Sequence, residues 1–470
     1  MSDKRWDLIV LGAGPGGYVA AIRASQLGLR TLCIDRNPLP GGTCLHRGCI
    51  PSKALLESSR FFANVRDAAT LHGVVVPEPS LDLAAMMQRK QGVVDRLSKG
   101  IQGLFKRNGV THLTGTARIL ESGKIQISES DGSVREEESA RILVATGSRS
   151  IDLPMAPFDG GHIIDSSTAL TLDRVPKHLI VIGAGVIGLE MATIWRRLGA
   201  DVTIIEALPE ILPGVDPVLI RNAKRLFRKQ GLVFATGQRL IESRVEAESD
   251  KVMVWCENDK GERTEYSGDK VLVSVGRKPN LEESGLRQLG IACDPSGRVI
   301  VDDDFQTSLP GIYSIGDITP GPMLAHKASE EAIVAVERMA GKESRIDHDL
   351  IPSVVYCQPE IAMVGMTESD AKALGRAVNT GQFPLLASGR AQTAADADGI
   401  IRIVADAESD EILGVQILGR EASELIASAT VAIRSKMTSR QLAETIVSHP
   451  SLAETLKEAA LLVTGKAIHL

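Results

Sequence analysis

The same nucleotide-binding pattern occurs twice in this chain, which commits it to two separate strand–turn–helix units. In the first, an apolar stretch at residues 8–11 runs into Gly12-Ala13-Gly14-Pro15-Gly16-Gly17. A helix-forming stretch at 18–27 follows, then a second apolar stretch at 29–34 that ends at Asp35. In the second, residues 179–182 run into Gly183-Ala184-Gly185-Val186-Ile187-Gly188, a helical stretch through Leu198, and an apolar stretch at 202–205 that ends at Glu206. Both copies hold G-x-G-x-x-G, and in both an acid stands 23 positions after the first glycine (12 to 35, 183 to 206). One such glycine pattern is matched by many tight turns. Two copies, each between a strand and a helix with an acid at this distance, are a far stronger signal.

The residue types have physical reasons. Gly12 and Gly183 allow the tight turn, Gly14 and Gly185 let the backbone approach a pyrophosphate, and Gly17 and Gly188 let helix and strand pack closely. The pyrophosphate then faces free N–H groups at a helix start. Asp35 and Glu206 are placed to accept hydrogen bonds from a ribose diol. Two dinucleotides in one chain point to FAD and a nicotinamide. Glu206 selects NAD over NADP, because a 2′-phosphate would meet a carboxylate and the following Ala207 and Leu208 bring no arginine.

At 470 residues the chain exceeds a single core, so roughly three or four domains are expected. Apolar residues at 43% and charged residues at 24% are ordinary for a globular protein. A net charge of −6 and only 3% aromatic residues give no basis for nucleic-acid binding. Six cysteines, at 33, 44, 49, 256, 293 and 357, are too scattered for a secreted disulfide framework. Residues 1–6 are short and polar with an apolar strand directly after them, which leaves no room for a targeting segment. The most apolar run, 179–189, contains three glycines and stops at Glu190, too short to cross a membrane. The expected compartment is the cytoplasm.

Other segments extend the two units. Val144-Ala145-Thr146-Gly147-Ser148 is an apolar strand ending in a small-residue turn, and residues 271–275 before Gly276-Arg277-Lys278-Pro279 are its counterpart. Residues 312–317 form another strand ending at Gly316-Asp317, followed by a turn and a helix from Ala325. Gly316-Asp317 alone is as often a plain turn as a ligand site. Beyond Ile351 the strands 361–364, 400–404 and 412–417 and the helices 423–435 and 451–462 read as a closing α+β module.

The most informative stretch is Gly41-Gly42-Thr43-Cys44-Leu45-His46-Arg47-Gly48-Cys49-Ile50-Pro51-Ser52-Lys53. In a regular helix two residues five apart differ by roughly 7.5 Å in rise and about 140° in rotation. A disulfide needs Cα atoms within about 7 Å and converging Cβ vectors. Cys44 is therefore expected at a helix start or in a distorted first turn, with Gly41, Gly42 and Gly48 giving the freedom. A helix start also favours thiolates, and Lys53, four residues after Cys49, adds positive charge on the same face. The competing readings are a metal site or two inert thiols. No second Cys/His pair stands at ligand spacing, so no metal is expected.

The second catalytic candidate is His449-Pro450-Ser451-Leu452-Ala453-Glu454. Ser451 and Glu454 match a capping box that merely starts a helix. Pro450 leaves His449 on a loop, where Glu454 could orient its imidazole as the base that thiol–disulfide exchange requires. The residues alone leave both readings open.

These segments, with Leu324-Ala325-His326-Lys327-Ala328-Ser329-Glu330-Glu331, resemble the dihydrolipoamide dehydrogenase family of class I pyridine nucleotide-disulfide oxidoreductases over essentially the whole chain. The resemblance implies an α/β fold: two Rossmann-like dinucleotide-binding domains plus a C-terminal α+β dimerisation domain. Residues 1–150 would bind FAD, 151–277 NAD, 278–350 would complete the FAD site, and 351–470 would form the interface. It implies that His449, held by Glu454, deprotonates a dihydrolipoyl thiol, which attacks Cys44 and releases Cys49 beside the flavin, with electrons passing to FAD and on to NAD. Lys53 and Glu190 resemble the family's ion pair near the flavin. FAD contacts would fall to Gly12, Gly14, Gly17, Asp35, Lys53, Gly115, Ala145, Thr146, Gly147, Ser148, Asp317, Met323, Leu324, Ala325 and His326. NAD contacts would fall to Gly183, Gly185, Gly188, Glu206 and Gly276. In the family the histidine serves the other subunit's site, so a homodimer is implied. The expected partners are dihydrolipoamide or a lipoyl domain of an acyltransferase or glycine-cleavage carrier.

Two positions depart from the family pattern. His46-Arg47 stands where Asn-Val is usual, and Cys357-Gln358 where Thr-His is common before Pro-Glu. Arg47 is expected either to make the cysteine pair easier to reduce or to contact a carrier domain. A glutathione-type reductase would favour NADPH, against Glu206, and a mercuric reductase would need a C-terminal cysteine pair that is missing after Cys357. A non-catalytic flavin redox sensor is the alternative from another class.

Overall fold

The computed structural model describes residues 5–246 and 248–470, so part of the polar segment before the first strand lies outside the described residues. Strand Leu8–Leu11 is buried at all four positions, and parallel strands flank it on both sides, Thr31–Asp35 and Ile142–Val144. Thr111–Thr114 and Ile312–Ser314 complete a five-stranded parallel sheet. The second sheet repeats this around His178–Ile182, with Asp201–Glu206, Leu232–Thr236, Lys270–Val273 and Ile163–Ile164, all parallel. Strands covered on both faces read as continuous Val/Ile/Leu runs, which is why these two were visible in the sequence.

Several boundaries moved for local reasons. The helix expected from 18 begins at Pro15, because proline at the first helical position is already set for helix and lacks only an N–H that would go unpaired. The strand expected over 144–148 divides into Ile142–Val144 and Ser148–Ser150. The second piece pairs antiparallel with Arg277–Pro279 and so links the two nucleotide units. The strand expected through 317 stops at Ser314, and Gly316–Ile318 forms a 3₁₀ turn with Gly316 at φ +78°.

Each nucleotide unit also carries an antiparallel three-stranded sheet that the sequence reading did not place: Thr116–Glu121, Lys124–Ser128, Val134–Glu138 in one, and Arg239–Glu246, Lys251–Glu257, Arg263–Gly268 in the other. The signal was there in period two. Val252, Val254 and Cys256 alternate inward along Lys251–Glu257. The helix Leu83–Asn108 was also missed, although Asp82 caps Ala85 N and Gly109 closes it in the left-handed region.

The C-terminal sheet is antiparallel throughout, ordered Ser353–Val355, Glu360–Gly365, Ile412–Gly419, Ile400–Asp406, Val378–Pro384. Helices Ala422–Arg434 and Ala453–Val463 cover one face through Ile401, Ile403, Val415 and Ile417. The alternate residues Ile400 and Leu418 turn the other way, into a core with Trp195 and Phe227 of the second unit and Leu55 and Leu56 of the helix Cys49–Asp67. Burying side chains of this size stabilises by about 1.5–3 kcal/mol each. The helix that begins at Cys49 is thereby held between the two other units. Among the described residues no helix is long and apolar enough to cross a membrane.

Candidate active site

The two glycine loops are built alike. Gly12 (φ +100°) and Gly183 (φ +104°) turn in the left-handed region, where an added Cβ would lie 2.4 Å from Ala145 O and 2.7 Å from Ser274 O. At Gly17 and Gly188 a Cβ would strike the carbonyl oxygens of Gly12 and Gly183. Gly14 and Gly185 cap the two helices without any side-chain hydrogen bond, and a Cβ there would meet nothing closer than 3.8 Å. The helices Leu83–Asn108 and Pro217–Lys229 are instead closed by Asp82 and Asp216. Open starts with unspent N–H groups fit a dinucleotide pyrophosphate at each loop.

Asp35 and Glu206 do more than the ribose contact expected of them. Asp35 accepts the N–H of Ala13 at 2.7 Å and of Asn37 at 2.8 Å; Glu206 accepts those of Ala184 at 2.7 Å and Leu208 at 2.9 Å. Each carboxylate braces its own loop and keeps further lone pairs for a diol. Gly115 N donates to Asp35 O, and a Cβ at Gly115 would crowd Ile127 and Ser128.

The cysteines straddle a break between two helices, Gly42–Arg47 and Cys49–Asp67, with Gly48 at φ −147°, ψ −110° between them. Cys44 therefore lies inside a short first helix, and Cys49 opens the second. Gly41 and Gly42 both have positive φ. A Cβ at Gly42 would come within 2.5 Å of Gly14 Cα, so the cysteine helix sits directly against the first glycine loop. Only glycine permits that approach.

When reduced, the two thiols share a hydrogen bond. That bond from Cys44, followed by the charge of Lys53, outweighs burial and brings the Cys49 thiol down to about 7. Cys44, as the donor, is pushed up by the same bond and by burial. The direction of the two shifts favours Cys49 over Cys44 as the thiolate of the reduced pair. Lys53 Nζ bonds both oxygens of Glu190, at 3.0 and 2.8 Å. Burial opposes the Lys53 charge, but Glu190 outweighs it and the ammonium is held more firmly than usual.

The remaining expected FAD residues meet around the Gly316 turn. Ser148 Oγ donates to Asp317 at 2.5 Å, and Arg277 bonds both the hydroxyl and the carbonyl of Ser148. Thr146 Oγ1 donates to Asn280 O, and Asn280 N to Gly147 O; Ala145 N bonds Leu11 O. Lys327 and Glu331, buried on the helix Ala325–Met339, grip Gly316 from both sides: Lys327 Nζ donates to Gly316 O at 2.9 Å, and Glu331 accepts Gly316 N at 2.8 Å. That helix starts at Leu324 without a side-chain cap, directly after Met323, and His326 donates to Pro352 O. Gly276 turns at φ +129°, next to Arg277. Arg277 and the Lys327–Glu331 pair were not singled out as site residues in the sequence. Their signal was a buried charge, which only the fold shows.

His449 Nδ1 donates to Glu454 Oε1 at 2.8 Å, and Glu454 Oε2 accepts Ser451 N at 2.8 Å. The capping box is only half formed, since the Ser451 hydroxyl donates to Ser448 O instead of accepting. Ser451 N–H and then His449 hold the Glu454 carboxyl below its ordinary range. The imidazole itself is 80% exposed, and among the described residues no hydrogen bond or charge contact joins it to Cys44 or Cys49. Within one chain the expected base and the redox pair are not brought together. Among the described residues Arg47 is exposed and makes no side-chain hydrogen bond or ion pair, while His46 donates to Pro40 O.

Residues 6–332 match the family described as pyridine nucleotide-disulphide oxidoreductase, and residues 351–460 match its dimerisation domain. The chain is 43% identical to dihydrolipoyl dehydrogenase 1, mitochondrial, of Arabidopsis thaliana, over all of this chain and 92% of that one. It is also 43% identical to the dihydrolipoyl dehydrogenase of Cupriavidus necator, over the full length of both. Among solved structures, LpdA from Mycobacterium tuberculosis superposes with a TM-score of 0.88 at 29% identity, covering 96% of this chain and 98% of that one. With two open glycine cradles, a thiol pair seated against the first of them and relatives aligned end to end, the chain belongs to the pyridine nucleotide-disulphide oxidoreductase family.

Proposed function

We propose that this enzyme oxidises dihydrolipoamide, free or carried on a lipoyl domain, through the Cys44–Cys49 pair, with NAD⁺ as final acceptor. The observation that carries the reading is the cysteine pair beside Lys53, at a helix break whose Gly42 packs on Gly14 of the first glycine loop. When bound, FAD and NAD supply the two-electron relay that reoxidises the pair.

The chain's own residues do the rest. Nε2 of His449 takes the proton of one substrate thiol, while Glu454 fixes the ring through Nδ1 and stabilises the cation that results. The substrate thiolate attacks Cys44 of the oxidised pair, and the Cys44–Cys49 bond breaks with its electrons on Cys49. The charge of Lys53, four residues along the helix, favours Cys49 as the leaving sulfur. The second substrate thiol then displaces Cys44 and gives that sulfur its proton, so the substrate becomes a disulfide and the pair is left as a Cys44 thiol and a Cys49 thiolate, with the first proton on His449. Lys53, itself neutralised by Glu190, holds the negative charge in place. Because His449 stands free of the cysteines of its own chain, we place the working site between two copies, as the dimerisation domain supports. Residues 1–150, 151–277, 278–350 and 351–470 remain our division of labour, supported by strand Ile312–Ser314 joining the first sheet. We keep the cytoplasmic placement, supported by Cys33, Cys256 and Cys357 being buried free thiols.

Steady-state turnover of dihydrolipoamide tests the reading. NAD⁺ should exceed NADP⁺ in kcat/KM by at least tenfold, about 1.4 kcal/mol. No turnover with either nucleotide refutes the substrate assignment, and equal values refute the role of Glu206.

A further inference from the structure

Three consecutive residues at the start of the C-terminal unit lie along one face of the helix Val186–Arg197. Tyr356 N donates to Glu190 Oε1 at 3.1 Å, Thr193 Oγ1 donates to Cys357 Sγ at 3.3 Å, and Arg197 Nη2 donates to Gln358 Oε1 at 2.9 Å. Positions 190, 193 and 197 follow the i, i+3, i+7 spacing of a single helical face. Arg197 also donates from Nη1 to Leu56 O on the cysteine-bearing helix, and burial lowers it to about 10. Cys357 is 3% exposed, with its thiol pushed up to about 12 by burial, so it serves as packing and not as a third redox sulfur. The unusual pair Cys357-Gln358 thus has a structural part: it anchors a strap.

The strap ends on the redox machinery. Lys53 Nζ lies 4.5 Å from the centroid of the Tyr356 ring while it bonds both oxygens of Glu190. The ammonium thus has a carboxylate and an aromatic ring face as its neighbours, and a cation is attracted to such a face. Screening by water would weaken the pull of that charge on the neighbouring sulfur.

We propose that Tyr356 is a positioning residue for the redox pair: its ring flanks Lys53–Glu190 and holds the ammonium in place to stabilise the Cys49 thiolate. The C-terminal unit, through residues 356–358, thereby takes part in setting the reactivity of a cysteine on the first unit. The inference rests on the proposed reading only in taking Cys49 as the reactive thiolate.

The test uses the FAD-loaded Cys44→Ser protein, with the rate of Cys49 alkylation by iodoacetamide followed against pH on the peptide that contains it. Tyr356→Phe keeps the ring face and should leave the midpoint within about 0.2 unit. Tyr356→Leu removes it and should raise the midpoint by about half a unit or more, at least a twofold loss of rate at pH 7. If Tyr356→Leu does not retain FAD, Tyr356→Met takes its place with the same expectation. An unchanged midpoint in the aliphatic variant, or an equal rise in Tyr356→Phe, overturns the proposal. Neither dihydrolipoamide nor nicotinamide enters this assay, so its failure is distinct from failure of the substrate assignment.

Discussion

Replacing Glu454 by glutamine tests the base most directly, because the carboxylate has two neighbours and both donate to it. His449 Nδ1 and Ser451 N each give a hydrogen to a different oxygen at 2.8 Å. An amide has one acceptor oxygen and one NH₂ group, so it can satisfy only one of them and must point a donor at the other. Either the imidazole loses its orientation or the helix start loses its bond, and in both cases the imidazolium loses its counter-charge. A hydrogen bond to a charged group contributes about 1.5–3 kcal/mol, or roughly 10- to 150-fold in rate. The exposure of His449 argues for the lower end. We expect kcat for dihydrolipoamide oxidation to fall about tenfold with little change in KM, since the charged ring forms only after binding. Glu454 is held below its ordinary range by Ser451 N–H and His449, so it stays ionised between pH 7 and 5. Wild-type activity lost between pH 7 and 5 must therefore come from other groups. Glu458→Gln, one turn along the same helix and bonded to His469, is the control and should stay within about twofold. A Glu454→Gln enzyme within about threefold of wild type would refute the role given to this pair.

Two further outcomes follow from the same geometry. Cys44→Ser should retain FAD yet lose dihydrolipoamide turnover, because no sulfur remains to accept the attack; normal turnover in that variant sinks the assignment. Arg47→Val should leave the reduction potential unchanged, since the exposed Arg47 charge is screened by solvent, while affinity for a lipoyl domain changes. A fall of about 30 mV, equivalent to about 1.4 kcal/mol for two electrons, would show instead that the charge tunes the pair.

Local chemistry was readable wherever the reason for a residue is itself local. A helix start that must lie open needs Gly14 and Gly185, and a loop that must turn left-handed needs Gly12 and Gly183. The thiol pair showed itself by spacing, because five residues of regular helix cannot join two sulfurs, and the break at Gly48 is the consequence. Chain order likewise fixed two parallel sheets, since each strand–helix crossover leads to the next parallel strand. Other features depend on residues far apart in the chain and left no local mark. Arg277 on Ser148, Lys327 and Glu331 on Gly316, and Tyr356 on Lys53 are buried or half-buried contacts across 11 to 303 positions, and their energies come from desolvation that exists only once the units have packed. The sequence by itself thus determined the two glycine loops and pointed to Cys44, Cys49 and His449 as candidates for the chemistry. Tertiary structure alone decided what holds Lys53 in place, what grips the Gly316 turn and how Tyr356 of the C-terminal unit reaches Lys53, because each of these depends on distance and burial between segments that the chain's order does not bring together.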